Sequence, residues 1–428
     1  MPRNGIARSI AMLSGSTALA QLIGICVLPF VTRLYTPAEI GVVSLFLSFF
    51  AFWANTLSLR YEHAIVIAKD DAESHIVLRL AILLVIVMSL LGMPVLWLLQ
   101  HLNVLEFGLL PSWAPLIAFP ILAGHGAFMV YRSWALRGGL IRDITQSAVA
   151  RASAAALTKL GLGFMGWGIV GLFFAELAGA CISMFKLLQT TKRHFARSKP
   201  TNISLVHIRL VGQKYGKFPA LETPSAWLDT LALFLPLPFV ASLYGAEAAG
   251  WFGLARMVVS APNSQIGAAV ADVFQMELAK AVRENDTARA RQLFYSLLKK
   301  MSLIGLLPLA SVFFILPWAF PVVFGHRWEQ AGPIAVSLAP WLYTALVISP
   351  LSRALSVLQA QEWKLTYDIS ALALLSGSYW LATTFGLTLF NFCWLISFAK
   401  VLGYLIYALV LFMLVESRLK GGKKMGGE

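Results

Sequence analysis

Leu28–Gly41 reads LPFVTRLYTPAEIG, and Leu237–Gly250 reads LPFVASLYGAEAAG. The shared pattern is L-P-F-V-x-x-L-Y with Gly six residues after the Tyr, and seven of fourteen positions are identical without a gap. The offset is 209, close to half of the 428-residue chain. The same register pairs Arg8 with Lys217 and Ser16 with Ser225 upstream, and Leu45 with Leu254 downstream. Because proline, tyrosine and glycine recur along with leucine, the match reads as an internal duplication. Two like halves are expected.

Composition says what kind of halves. Hydrophobic residues make up 58% of the chain and charged residues 13%, whereas a soluble domain carries about 25% charged residues. The mean hydropathy is +0.75. Apolar runs of about 20 residues, long enough to cross a ~30 Å hydrocarbon core, recur along the sequence. Such runs have a helical solution, since every backbone amide must be satisfied within its own segment. About twelve spans are expected, at 10–33, 40–60, 77–99, 111–135, 144–165, 167–188, 218–243, 250–273, 298–320, 331–358, 365–386 and 391–414. The expected fold is an all-α polytopic membrane protein with two six-helix lobes around a central cavity. An even number of spans per half returns the second copy to the same orientation, so the repeat is parallel. The expected organisation is an N-terminal lobe at 1–190, a basic connector at 191–217, a C-terminal lobe at 218–415 and a basic tail at 416–428. The basic start and the Ala18-Leu19-Ala20 triplet resemble a signal peptide. The apolar run nevertheless continues to Tyr35 and carries the first repeat, so it is read as a retained span.

Lys and Arg set the orientation. Lys186–Lys217 holds Lys192, Arg193, Arg197, Lys199, Arg209 and Lys214; Lys280–Lys300 holds Arg283, Arg289, Arg291 and Lys299; the tail holds Arg418, Lys420, Lys423 and Lys424. All three lie on the N-terminal side, which the positive-inside rule assigns to the cytoplasm. The bias accounts for the net charge of +14 as a topology signal. No nucleic-acid partner is needed to explain it, and the basic loops suit contact with anionic lipid. The three cysteines, Cys26, Cys181 and Cys393, sit in apolar segments without paired spacing, so neither disulfide, metal site nor cofactor is expected. No phosphate-binding glycine loop or other enzyme signature occurs.

Charges and prolines inside spans are the functional pointers. Arg33, Arg60, Glu62, Arg132 and Lys400 lie near expected span ends, where long side chains snorkel to the interface. Arg151, Lys159, Asp229 and Arg256 lie deeper. Arg151 with Lys159, Glu222 with Asp229, Arg256 with Asn263, and Ser14 with Gln21 each recur at helical spacing on one face. Polar stripes on several helices fit a cavity between the halves; the alternative is inter-helix ion pairing, for example Asp229 with Arg256. Pro29 and Pro238 occupy matched points of the repeat, and matched helix breaks tend to border a site between halves.

Four stretches carry a family likeness: FVTRLYTPAEIG at 30–41, LRYEHAIV at 59–66 with Lys69-Asp70-Asp71, GWFGLAR at 250–256 with Pro262, and FGHRWEQAG at 324–332. In these the chain resembles bacterial polysaccharide flippases of the multidrug/oligosaccharidyl-lipid/polysaccharide exporter superfamily, and the likeness covers nearly the whole chain. The loop YEHAIVIAKDDAESH lacks the G-x-x-x-D-R-x-G-R pattern of the major facilitator class. The resemblance implies alternating access and a polyprenyl-diphosphate-linked oligosaccharide as cargo, moved to the outer leaflet of the inner membrane. It also implies a polysaccharide polymerase and chain-length machinery as partners. Arg256, Arg151 and Lys159 would then face the diphosphate, with Asn263, Gln21, Arg60 and Arg33 as further substrate contacts. Asp229 and Glu222 are the candidate ion-coupling groups, and Pro29 and Pro238 the candidate hinges. Two alternatives stay open: a cation-coupled drug or metabolite antiporter of the same superfamily, and a non-transporting scaffold for glycan assembly.

Overall fold

The computed structural model describes residues 3–195, 205–262, 267–358, 360 and 362–420, and every regular element among them is helical. The chain begins with α1 (Arg3–Leu34), α2 (Pro37–Ala54), α3 (Tyr61–Ile67), α4 (Asp71–His101), α5 (Ala114–Arg137), α6 (Ile141–Phe164), α7 (Gly168–Phe195) and α8 (Leu205–Lys214). A π-helical turn at Phe218–Glu222 leads into α9 (Thr223–Phe234) and α10 (Pro236–Pro262). There follow α11 (Ala268–Arg283), α12 (Thr287–Phe314), α13 (Leu316–Phe324), α14 (Ala331–Ile348), α15 (Arg353–Val357), α16 (Glu362–Phe385) and α17 (Leu389–Lys420). Each of the twelve expected spans overlaps helix, α9 and the start of α10 supplying the seventh, and the eighth falls on α10 and α11 with residues 263–266 outside the described set. Eight helical stretches among the described residues are long and apolar enough to cross a membrane. This is an all-α, multi-pass membrane protein.

The duplication is visible in the backbone. Helix α2 starts after Thr36, whose hydroxyl accepts the Glu39 amide while the Glu39 carboxylate accepts the Thr36 amide. This reciprocal box satisfies amides that a helix start leaves open. Thr36 plus 209 is Gly245, which interrupts α10 at φ 84°, ψ −179°. The chain therefore breaks at the same register twice, once through a side-chain cap and once through a backbone conformation that glycine alone adopts readily. The expected span at 40–60 ends at Ala54, because residues 55–60 form a turn containing Leu59 and Arg60 at φ 48° and 65°.

The matched glycines meet. A Cβ on Gly41 would overlap the carbonyl oxygen of Ala246, and a Cβ on Gly250 would overlap that of Pro37. Under the 209 offset Pro37 maps to Ala246 and Gly41 to Gly250, so these are one contact and its symmetry mate.

The chain forms two compact units, Met1–Gly250 and Trp251–Glu428. In the first, α6 packs on α1 and α7, α4 on α5, and α5 on α7. Its centre includes Phe173 against Phe46 and Trp113, with ring centroids 4.8 and 5.0 Å away. On its rim α8 lies on α4, where Lys214 pairs with Glu73 and Tyr61 donates to the Gly212 carbonyl. The Glu73 carboxylate holds the Lys214 ammonium above the ordinary lysine range. In the second unit, α14 is the central helix and packs on α12, α13 and α17. Phe274, Phe294, Met301, Leu346, Leu351 and Tyr407 belong to its buried core.

Candidate functional site

In the second unit two cations converge on one indole. Arg256, partly buried, leaves the second segment of α10, and its guanidinium lies 5.9 Å from the Trp341 ring centroid on α14. The Lys400 ammonium, on α17, lies 5.6 Å from the same ring. Each contact is worth about 0.5–2 kcal/mol, more where water is excluded. Trp341 is 1% exposed and Lys400 7%. Lys400 is therefore not a snorkelling residue at a span end, as its sequence position implied, but a cation inside the helix bundle. Pro340 leaves α14 one amide donor short. Here the Trp341 amide donates to the Ser397 hydroxyl at 3.2 Å, and the Thr344 hydroxyl donates to the carbonyls of Pro340 and Trp341. These bonds fix the indole next to α17. On α16, Asp368 is buried and accepts from Lys364 at 2.9 Å, while Tyr367 stacks on Tyr407 at 4.2 Å.

The first unit holds a second polar cluster. Helix α6 turns its charged face toward α5 and α7. Arg151 donates to Nδ1 of His125 on α5 at 2.8 Å, and its backbone oxygen lies beside Gly179 of α7. An arginine only donates, so this contact requires an unprotonated Nδ1. Lys159 donates to Glu176 on α7 at 2.9 Å. The Tyr35 hydroxyl, from the loop after α1, donates to the Lys159 carbonyl at 2.8 Å. The Tyr of the duplicated motif thus anchors the helix that carries both cations.

A third group surrounds the turn after α2. Arg60 donates to Asn55 Oδ1 at 2.9 Å, and Asn55 donates to the Thr230 hydroxyl of α9 at 2.7 Å. His63 lies 3.9 Å from Glu62 and 4.0 Å from Glu222. Left-handed backbone at Leu59 and Arg60 costs about 1–3 kcal/mol per residue and tends to mark functional turns.

The structure places Arg60 and Glu222 within 3.5 and 4.0 Å of His63 Nε2, and Arg151 and Lys159 on one helix with separate partners, so the expected site residues are distributed over separate clusters. Gln21 is partly buried within α1, while Arg33 and Asp229 are exposed. Asn263 lies outside the described residues. Pro29 sits inside an unbroken α1, and Pro238 inside a helix that runs on from α9 into α10, since Leu235 keeps helical angles (φ −59°, ψ −28°), its amide donates to the Leu231 carbonyl and its carbonyl accepts from the Phe239 amide. Each proline removes the amide that would serve the carbonyl four residues before it. The matched prolines thus occupy like helical contexts. Sequence reasoning passed over His125, Asn55, His63 and Trp341. For Trp341 the signal was a proline-indole pair in the middle of an apolar run.

Solved structures share this fold. An inward-facing multidrug resistance MATE family transporter of the MOP superfamily matches with TM-score 0.70 and 15% identity, over 97% of this chain and 96% of that one. A MOP superfamily transporter from Pyrococcus furiosus, whose reversed pocket polarity is said to suggest a different function, matches with TM-score 0.64 and 16% identity over 97% and 96%. An outward-facing MATE family transporter matches with TM-score 0.61 and 16% identity over the same shares, 97% and 96%. Likeness at these identities establishes the fold alone. No curated protein matches the sequence significantly. The polysaccharide biosynthesis protein family, however, matches residues 30–333, which include the first copy of the duplicated motif from Phe30 on, the whole of the second, and the turns that separate their helices. The chain belongs to that family.

Proposed function

We propose that the protein is a flippase that carries a polyprenyl-diphosphate-linked oligosaccharide from the cytoplasmic to the outer leaflet of the inner membrane by alternating access. The observation that carries this reading is the convergence of Arg256 and Lys400 on Trp341. Two cations in an apolar bundle favour an anionic group at that point, and arginine matches phosphate oxygens through its planar fork of donors. Arg151 and Lys159 supply further positive charge in the first unit, where Lys159 is held by Glu176. The direction of transport suits an anionic head, since outward movement across an inside-negative membrane is downhill by about 2.3 kcal/mol per charge per 100 mV. The Glu222–His63–Glu62 group is the candidate for proton coupling, with Asp229 two helical turns further along α9. Both termini and the basic segments face the cytoplasm on this reading, and a polysaccharide polymerase with its chain-length machinery receives the cargo outside.

Export in cells whose surface polysaccharide depends on this protein tests the proposal. Arg256→Ala should abolish surface polysaccharide while the protein remains inserted at normal level. Arg256→Lys should retain part of the activity, since the charge stays but the fork is lost. Full export by the alanine variant would remove Arg256 from the binding site.

A further inference from the structure

The duplication fills one groove and leaves its counterpart open. In the first unit α8 lies on α4 and reaches α3. Tyr61 of α3 donates to the Gly212 carbonyl at 2.8 Å, Lys214 pairs with Glu73, and a Cβ on Gly212 would lie 3.4 Å from a Leu80 methyl. The inner face of α8 carries Ile208, Val211 and Gly212 at helical spacing, while His207, Arg209 and Lys214 are exposed. Beyond the second span the repeat continues at an offset of 216, seven residues more than in the duplicated motif. Asp70 caps α4 by accepting the Glu73 amide at 2.8 Å, and Asp286, 216 residues on, caps α12 by accepting the Arg289 amide at 2.9 Å. Arg137 lies 3.3 Å from Asp71, and Arg353, again 216 residues on, lies 3.9 Å from Asp272. Leu80 and Ala81 of α4 map to Ser296 and Leu297 of α12. The counterpart of the α8 seat is therefore the face of α12 beside α11. There the second unit has a groove of about 430 Å³, lined among others by Val270, Phe274, Leu293 and Leu297.

Depth and charge decide what fits it. Residues 301–324 carry no charge, and about twenty of them cross a ~30 Å hydrocarbon core as helix. The groove borders α12 at 293–300, so it lies at the headgroups and beyond them, on the side that the Lys/Arg bias assigns to the cytoplasm. Val273 on its wall and Met276, three residues along α11, are 58% and 62% exposed. An apolar patch outside the hydrocarbon core marks a protein-binding surface, since no lipid tail covers it. Its polar positions carry the opposite sign to those of the first unit. Arg289 stands on α12 where Glu73 stands on α4, Lys300 lines the groove, and Lys299 is exposed next to it. Glu277, the acidic lining residue, already accepts from Arg289 at 2.9 Å. A basic helix such as α8 of a second copy is repelled here. Residues 421–428, GGKKMGGE, lean basic and carry one apolar side chain, so they fit neither the stripe nor the sign. We infer that the groove docks an amphipathic helix of a cytoplasmic partner protein, with an apolar stripe like that of α8 and an acidic residue facing Lys300. The first unit supplies its own helix at this position, and the second takes one from another protein. The inference is independent of the cargo.

The test uses the full chain in phosphatidylcholine nanodiscs containing labelled phosphatidylglycerol, with empty nanodiscs subtracted. Two hydrocarbon-stapled peptides serve as probes, because a free helix as short as α8 is marginal in water. One has the α8 sequence LVHIRLVGQK, and the other carries Arg209→Glu and Lys214→Glu. The acidic peptide should bind about tenfold more tightly than the basic one, as like charges across a docked face oppose association. Lys300→Glu should remove or reverse that preference, and Ser296→Trp, which fills the groove, should abolish binding of the acidic peptide. A photo-crosslinking residue at exposed Val273 should capture the acidic peptide, whereas one at Leu307, within the uncharged stretch, should not. This arm does not depend on how either groove variant folds. If the acidic peptide does not bind the native protein, or its preference survives in folded Lys300→Glu, or its binding survives in folded Ser296→Trp, the inference falls. If the Val273 probe captures phosphatidylglycerol and excess acidic peptide does not displace it, the groove is a lipid seat and the inference falls too.

Discussion

At the scale of single residues, the informative feature is how this protein keeps charge inside apolar helices. Arg256 and Lys400 lean on an aromatic face, and Lys159 leans on a carboxylate. The two solutions respond differently to mutation. The Lys159 and Glu176 side chains are 27% and 17% exposed, so their pair is largely desolvated. Removing one partner of such a pair leaves a stranded charge, whereas removing both costs little. Lys159→Met alone should lower stability by up to about 3 kcal/mol, and Lys159→Met with Glu176→Leu should recover most of it. Thermal unfolding in detergent reads this directly. Equal losses in the single and double variants would mean that the pair stabilises the fold in its own right.

At the scale of elements, the duplicated motif controls where helices end and how closely they approach. Gly41 leaves no room for a Cβ beside the Ala246 carbonyl, whereas Gly24 on α1 has nothing within 4 Å of its Cβ position. Overpacking a tight contact costs about 1–3 kcal/mol. Replacing an uncrowded helical glycine by alanine gains up to about 1 kcal/mol. Gly41→Ala should therefore destabilise and Gly24→Ala should stabilise, a contrast in sign that the same melting measurement resolves. The prolines form a matched pair. Pro29→Ala supplies an intrahelical donor for the Ile25 carbonyl, and Pro238→Ala one for the Phe234 carbonyl, each inside a continuous helix. Transport should fall with Pro29→Ala and with Pro238→Ala, both proteins being expressed normally. Native transport in both variants would make the prolines packing kinks and not the hinges expected from the repeat.

At the scale of the whole molecule, the one-sided distribution of Lys and Arg sets the topology prediction. In a background without Cys26, Cys181 and Cys393, single cysteines at 244–249 and 322–329 should react with an impermeant reagent added outside. Cysteines at 192–200 should react only after the membrane is opened. The first range contains the Gly245 break, and the second contains the short helical turn His326–Trp328 between α13 and α14. Outside labelling at 192–200 would invert the orientation and with it the proposed direction of export.

Much of this architecture is written locally along the chain. Apolar run length determines the helices, because a membrane admits no other backbone solution for such segments. The 209-residue offset determined that there are two copies, and it located the matched break at Thr36 and Gly245 to within the quoted motif. Helical spacing placed Arg151 and Lys159 on one face of α6. Partners were a different matter. Lys159 with Glu176, Arg151 with His125, and Arg256 and Lys400 with Trp341 each join separate helices. Gly41 meets the second copy of its own motif across about half the sequence. Those encounters depend on the rotation and axial offset of one helix against another, which side-chain packing sets and one-dimensional periodicity does not contain. The division of the chain into compact units at Gly250, inside α10, has the same origin, since it follows where packing is dense and not where composition changes.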